Sequence, residues 1–156
     1  MIREALIDPE TGQPFVLYRE QVAFLLAALT PTEDGRLPFA ELLFSAPKKS
    51  GKTGLAAIVM LYVIIVLAGR FGEGYAVAND LDQAQGRVFA ACCRIVETSP
   101  MLASEATITA RRITFPVLGS FIEAIPSDYA GAAGSNPNIV VFDELWAYTA
   151  RRRRAG

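Results

Sequence analysis

An α/β fold, with a mainly parallel β-sheet sandwiched by helices, is predicted by three features of the sequence. Short, continuously apolar runs alternate with segments of helical periodicity, the pattern of strands buried on both faces. One such run, residues 138–142 ("NIVVF"), ends directly on Asp143 and Glu144. Another stretch, residues 44–69 ("FSAPKKSGKTGLAAIVMLYVIIVLAG"), carries a lysine-rich loop straight into the most apolar segment of the chain. At 156 residues the chain has the length of one domain with a single substantial core.

The elements follow in order. Residues 18–29 place Val22, Phe24, Leu25, Leu26 and Leu29 at helical spacing, and the turn-rich "TPTEDGRLP" ends that helix. Residues 41–46 ("ELLFSA") form a short apolar run that breaks at Pro47, as a buried strand feeding a loop would. Residues 55–68 read as a helix. "GYAVAN", residues 74–79, reads as a second strand whose Asn79, with Asp80, can cap the helix that follows. That helix aligns Leu81, Ala84, Val88, Cys92, Ile95 and Val96 on one face and stops before Pro100. Between residues 107 and 126, "RRITFP" and "SFIEAIP" flank Gly119 like two strands joined by a turn. "SDYAGAAGSNPN" has the composition of a functional loop, and residues 138–142 complete the set.

Composition removes several chemistries. The chain has no histidine, so imidazole triads, His-ligated zinc and imidazole proton shuttles are absent. Cys92 and Cys93 are adjacent, which suits neither metal-ligand nor ordinary disulfide spacing, and they read as core residues in a reducing compartment. With 15 basic and 16 acidic residues, no global charge argues for nucleic acid, and any such contact must come from a local patch. The N-terminus carries charges where an export signal needs an apolar core. Chemistry is left to carboxylates, lysine, hydroxyls and backbone amides.

Two motifs supply those groups. "APKKSGKT" matches the phosphate-loop pattern G-x-x-x-x-G-K-[ST] at Gly51, Lys52 and Thr53, with Ala46 where the first glycine belongs. In such a loop the backbone N–H groups of residues 47–53 (Pro47, which lacks one, Lys48, Lys49, Ser50, Gly51, Lys52 and Thr53) wrap the phosphates at a helix N-terminus. The lysine then reaches the β- and γ-phosphate oxygens, and the threonine hydroxyl ligates Mg²⁺. The second motif is the apolar strand that delivers Asp143 to its carboxyl end with Glu144 next. In a P-loop NTPase this aspartate holds the metal and the adjacent glutamate polarises the attacking water. Separately, a surface turn and a helix-capping carboxylate pair would explain them. Occurring in the right order about 90 residues apart, each on a predicted strand end, they point to ATP and Mg²⁺. Lys48 and Lys49 either add positive potential at the γ-phosphate or are solvated charges.

A membrane span is the competing explanation of the apolar segment. Residues 55–68 are 14 residues without a charge, and the flanking glycines make 16. A spanning helix needs about 20. A helix covered on all sides within an α/β domain is apolar nearly all round, so burial accounts for the run without a bilayer.

With the motifs placed, the chain resembles the N-terminal ATPase domain of a tailed-phage terminase large subunit, over nearly all of residues 1–156. Four segments carry the likeness: "YREQ", "APKKSGKT", "ANDLDQAQGRVF" and "AIPSDYAGAAGSNPNIVVFDELWAY". The resemblance implies that Gln21 contacts adenine, Lys52 and Thr53 bind phosphate and Mg²⁺, Asp143 holds the metal and Glu144 is the catalytic carboxylate. Lys48 falls where related loops often carry arginine, and neither Arg111 nor Arg112 can be assigned as an arginine finger. It further implies a homo-oligomeric ring on the procapsid, with double-stranded DNA, a portal protein and a small terminase subunit as partners, working in the host cytoplasm. The end at "TARRRRAG" is expected to be a truncation or shifted frame that omits the rest of the motor and the nuclease domain. The alternatives are another P-loop motor, such as a helicase or AAA+ protein, and a truncated, non-catalytic nucleotide-binding module.

Overall fold

The computed structural model describes residues 5–78, 86–127 and 135–143. Helix α1 spans Arg19–Leu29 and is capped by Tyr18 in extended conformation. Gln21, Leu25, Ala28 and Leu29 are its buried residues, an i, i+4, i+7, i+8 stripe that defines one face. Helix α2 spans Lys52–Tyr62 and runs on through a π-helical turn, Val63–Leu67, closed by the Ala68 N–H on the Val63 carbonyl at 2.7 Å.

The near-uniform apolarity of α2 has a structural cause. Leu55, Val59 and Val63 form a cluster with Leu25, Ala28 and Leu29 of α1. Ala57, Ile58, Met60, Leu61 and Ile64 belong instead to the main core, shared with the sheet. Because two different sides of the helix are covered, few positions are left for polar residues. No helix among the described residues is long and apolar enough to cross a membrane.

The described strands are β1 (Glu73–Ala78), β2 (Thr107–Ile108), β3 (Arg112–Phe115), β4 (Ser120–Pro126) and β5 (Ile139–Phe142), in spatial order β2-β3-β4-β1-β5. Strand β1 runs parallel to both its neighbours, β4 and β5, while β2, β3 and β4 pair antiparallel. The α/β class therefore stands, with a mixed sheet that is parallel at the β4-β1-β5 side. The expected hairpin around Gly119 is β3-β4, with Gly119 at φ 65 in its turn. Cross-strand partners Arg112 and Glu123 form an ion pair at 2.5 Å, and the Arg112 guanidinium lies 4.2 Å from the centre of the Phe121 ring. Arg112 thus serves the sheet surface.

Helix α3 (Arg87–Thr98) buries Val88, Phe89, Ala91, Cys92, Ile95 and Val96 against α2 and the sheet. The start expected for this helix, including Leu81 and Ala84, lies outside the described residues. A short helix α4 (Pro100–Ala103) follows. Buried Ser99 between them accepts the Ile7 N–H on its hydroxyl at 2.9 Å, tying the N-terminal segment to the core.

One expected element is corrected. Residues 41–46 form no strand, and Leu42 and Leu43 are exposed. A strand is a property of a pair, because its backbone groups need a neighbouring ladder. No described strand pairs with residues 41–46, so the apolar run stays outside the sheet.

Both cysteines are free: Cys92 is fully buried and Cys93 partly so. Burial, reinforced by the nearby Glu97 charge, pushes the Cys93 thiol up from 9.0 to about 11. Only the thiolate is nucleophilic, so at pH 8 the reactive fraction is lowered about a hundredfold. Since a thiolate of higher pKa is also somewhat more nucleophilic, iodoacetamide should label native Cys93 roughly 10- to 100-fold more slowly than the same residue in urea. Mass spectrometry of a labelling time course checks this, and equal rates in the two conditions would refute it.

Candidate nucleotide site

The candidate site is the N-terminus of α2 with the loop that leads into it. Gly51, the N-cap, has φ 75, and Lys49 has φ 63, so two residues of the loop stand in the left-handed region. Alternation of right- and left-handed residues turns successive N–H groups to one side, the arrangement that receives an anion. Glycine suits position 51, whereas Lys49 carries a side chain there at a cost of about 1–2 kcal/mol. Ala46 is not among the residues with positive φ, so a side chain at the first-glycine position meets no backbone penalty.

Among the described residues the helix end itself is uncompensated. The first turn of α2 holds no acidic residue, and Gly51 makes no side-chain cap bond. The N–H of Leu55 reaches the Gly51 carbonyl at 2.9 Å, while N–H groups before it have no partner within the helix. A helix start with free donors and positive partial charge favours a phosphate. The Ser50 hydroxyl oxygen is also buried with no partner among the described residues.

Lys52 and Thr53 open the helix, both half-buried. The Lys52 ammonium donates to the Ala46 carbonyl at 2.8 Å, which folds the side chain back along its own loop. Pro47, Lys48 and Lys49 are exposed on the outer side. Behind the loop, the Gln21 Nε2 donates to the Ser50 carbonyl at 3.3 Å, and its Oε1 accepts the Tyr18 N–H at 3.0 Å.

Strand register puts Asp143 at the carboxyl end of β5. Phe142 pairs with Val77, so Asp143, the next residue, is level with Ala78 at the carboxyl end of β1. The far end of α2 lies over the opposite edge, where a Cβ on Gly74 would stand 3.0 Å from Ile64 and one on Gly72 would stand 2.7 Å from Ala68. Hence α2 runs back across the sheet and its first turn, with Lys52 and Thr53, points to the edge where Asp143 emerges. Glu144 lies outside the described residues. Two surface grooves, one lined by Leu6, Leu61 and Met101 and the other by Phe89, Cys93 and Arg94, lie away from the loop.

The family model for the terminase large subunit, ATPase domain, matches residues 35–154. The chain belongs to this family. The terminase ATPase domain also resembles a solved structure, the crystal structure of the HK97 bacteriophage large terminase, with a TM-score of 0.76 and 25% sequence identity. That likeness covers 92% of this chain and 29% of the HK97 chain, so the domain spans under a third of that protein's length. A comparison with curated proteins finds no significant match.

Two features of this terminase domain escaped the sequence reading. The bond from Gln21 to Ser50 joins residues 29 apart. No local pattern signals its loop end, although the Tyr18-x-x-Gln21 spacing is that of a capping box and carries the helix end of the same contact. The other is the Ala46 carbonyl as acceptor for Lys52, a backbone group that no residue type announces.

Proposed function

We propose that the domain binds ATP at residues 47–53 and hydrolyses it in a Mg²⁺-dependent reaction that drives DNA into a viral procapsid. What supports this reading is the N-terminus of α2, uncompensated among the described residues, behind a loop with Lys49 and Gly51 left-handed, together with a strand register that carries Asp143 to the carboxyl end of β1. In this reading Lys52 leaves the Ala46 carbonyl for the β- and γ-phosphate oxygens, and the N–H groups of residues 50–53 receive the remaining phosphate charge. Lys48 and Lys49 add positive potential from outside the loop.

The donor set suits magnesium, which takes few protein ligands and keeps much of its water. Thr53 and Asp143 would hold Mg²⁺, which supplies positive charge against the phosphate oxygens when bound. Glu144, next to Asp143 in the chain, orients and deprotonates the attacking water. Double-stranded DNA, a portal protein, a small terminase subunit and further copies of the motor in a ring on the procapsid are the partners this function requires, in the host cytoplasm.

The competing reading is a non-catalytic nucleotide-binding module. ATP affinity and phosphate release, measured for wild type and Glu144→Ala, separate the two. Wild type should bind and turn over MgATP, and Glu144→Ala should bind with similar affinity but hydrolyse ~10²–10⁴-fold more slowly. Equal rates in the two proteins would leave a binding module.

A further inference from the structure

Gln21 is one of only three buried polar or charged residues among those described, at 7% exposure. A polar side chain at that depth needs partners, and Gln21 has one at each end of its amide. The orientation of the amide is fixed by what it meets: the Tyr18 N–H can only donate, so it faces Oε1, and the Ser50 carbonyl can only accept, so it faces Nε2. Gln21 is also the first residue of the stripe by which α1 packs on α2, and Leu25, Ala28 and Leu29 of that stripe lie in one cluster with Leu55, Val59 and Val63. The amide is therefore mounted on a helix that is itself docked on the helix bearing the loop.

A trans peptide is planar, and its C=O and N–H point to opposite sides. Holding the Ser50 carbonyl toward α1 turns the N–H of Gly51, the other half of the same peptide, away from α1. We propose that Gln21 is a positioning residue for phosphate: it orients the Gly51 N–H as a donor to the phosphate chain of the nucleotide. This inference rests on the phosphate-loop reading above. Nε2 of Gln21 also lies close to Gly51 itself, 3.6 Å from where a Cβ on that residue would stand. The role differs from a contact with adenine. A residue that reads the base discriminates between nucleotides, whereas one that sets a phosphate donor acts equally on every ligand with a phosphate chain.

Calorimetric titration of the whole chain with ATP, GTP and inorganic tripolyphosphate, in wild type, Gln21→Met and Leu25→Ala, tests this. Gln21→Met keeps the length and apolar stem of the side chain and removes only the amide. It should weaken all three ligands by a similar factor, roughly three- to tenfold, the worth of the single bond that holds the Ser50 carbonyl. Leu25→Ala loosens the same helix without touching the amide, and once the unfolded fraction measured by circular dichroism is subtracted it should bind tripolyphosphate like wild type. A loss in Gln21→Met confined to ATP would make Gln21 a base reader, and no loss at all would make its contact merely structural; either overturns the proposal. An equal corrected loss in Leu25→Ala would also overturn it, because helix docking alone would then explain the effect. If wild type binds none of the three, the phosphate-loop reading itself falls, a result distinct from a Gln21→Met failure against a wild type that binds.

Discussion

Lys52→Ala should lower the MgATP hydrolysis rate about 10²–10³-fold while leaving the fold intact. The size follows from the loss of one preorganised positive group at the transferring phosphoryl, which in other sites costs about that much. The fold should survive because the only described partner of the ammonium is the Ala46 carbonyl, in a half-buried loop where water can replace it. A change of that kind costs within about 1 kcal/mol of stability. Lys52→Arg should not restore the rate, since a planar guanidinium is wider than an ammonium and cannot take its place in a closed loop. Phosphate-release kinetics and thermal unfolding, measured together, check both halves. A Lys52→Ala protein that unfolds like wild type and hydrolyses at the same rate would show that the loop is not where ATP reacts.

What sequence could reveal here follows how local the physics is. The loop's left-handed Gly51 and the helix that opens at Lys52 were legible because the pattern that signals them is contiguous. Helix α1 and strands β1, β4 and β5 were legible because periodicity and a breaker sit within each segment. Residues 41–46 were misread for the converse reason. Their apolar run is as good as that of β5, but strand formation depends on a partner, and pairing is a non-local fact. The turn at Gly119 already implied that β4 pairs antiparallel with β3, but its other neighbour was hidden in the same way: nothing within "SFIEAIP" says that β1 lies beside it and runs parallel.

The site divides along the same line. Ala46 in the place of a glycine could be judged only once the backbone was known to leave it outside the left-handed region. Lys49 is the reverse case, a lysine at a left-handed position that the motif pattern leaves open to any residue. Backbone conformation, rather than residue identity, decides both. Gln21 adds a third case: by residue type it is only a polar residue on an amphipathic helix, a ligand contact came from the family resemblance alone, and its bonds to Tyr18 and Ser50 needed the structure.

Phe89→Ala should destabilise the domain by about 3–5 kcal/mol, the range for truncating a buried aromatic that leaves a cavity. Phe89 is 1% exposed and belongs to the core cluster in which α3 meets α2 and the sheet. Against a typical total of about 5–15 kcal/mol, that loss takes a large share of the stability. For a domain of this size it corresponds to a fall of roughly 6–20 °C in unfolding midpoint. Phe39→Ala is the contrast, since Phe39 is 54% exposed and the change should stay within about 0.5 kcal/mol. The same pair of variants probes how the site is coupled to the core. Saturating MgATP at about a hundred times its dissociation constant stabilises a folded protein by ~2.7 kcal/mol through mass action alone. Phe89 is remote in sequence from the loop and lines none of its described contacts, so the stabilisation in kcal/mol should be the same in Phe89→Ala as in wild type. Differential scanning calorimetry with and without nucleotide measures it. A much smaller stabilisation in Phe89→Ala would mean that the packing of α3 sets the loop's geometry, and that the loop is held by the core rather than by α1 and α2 alone.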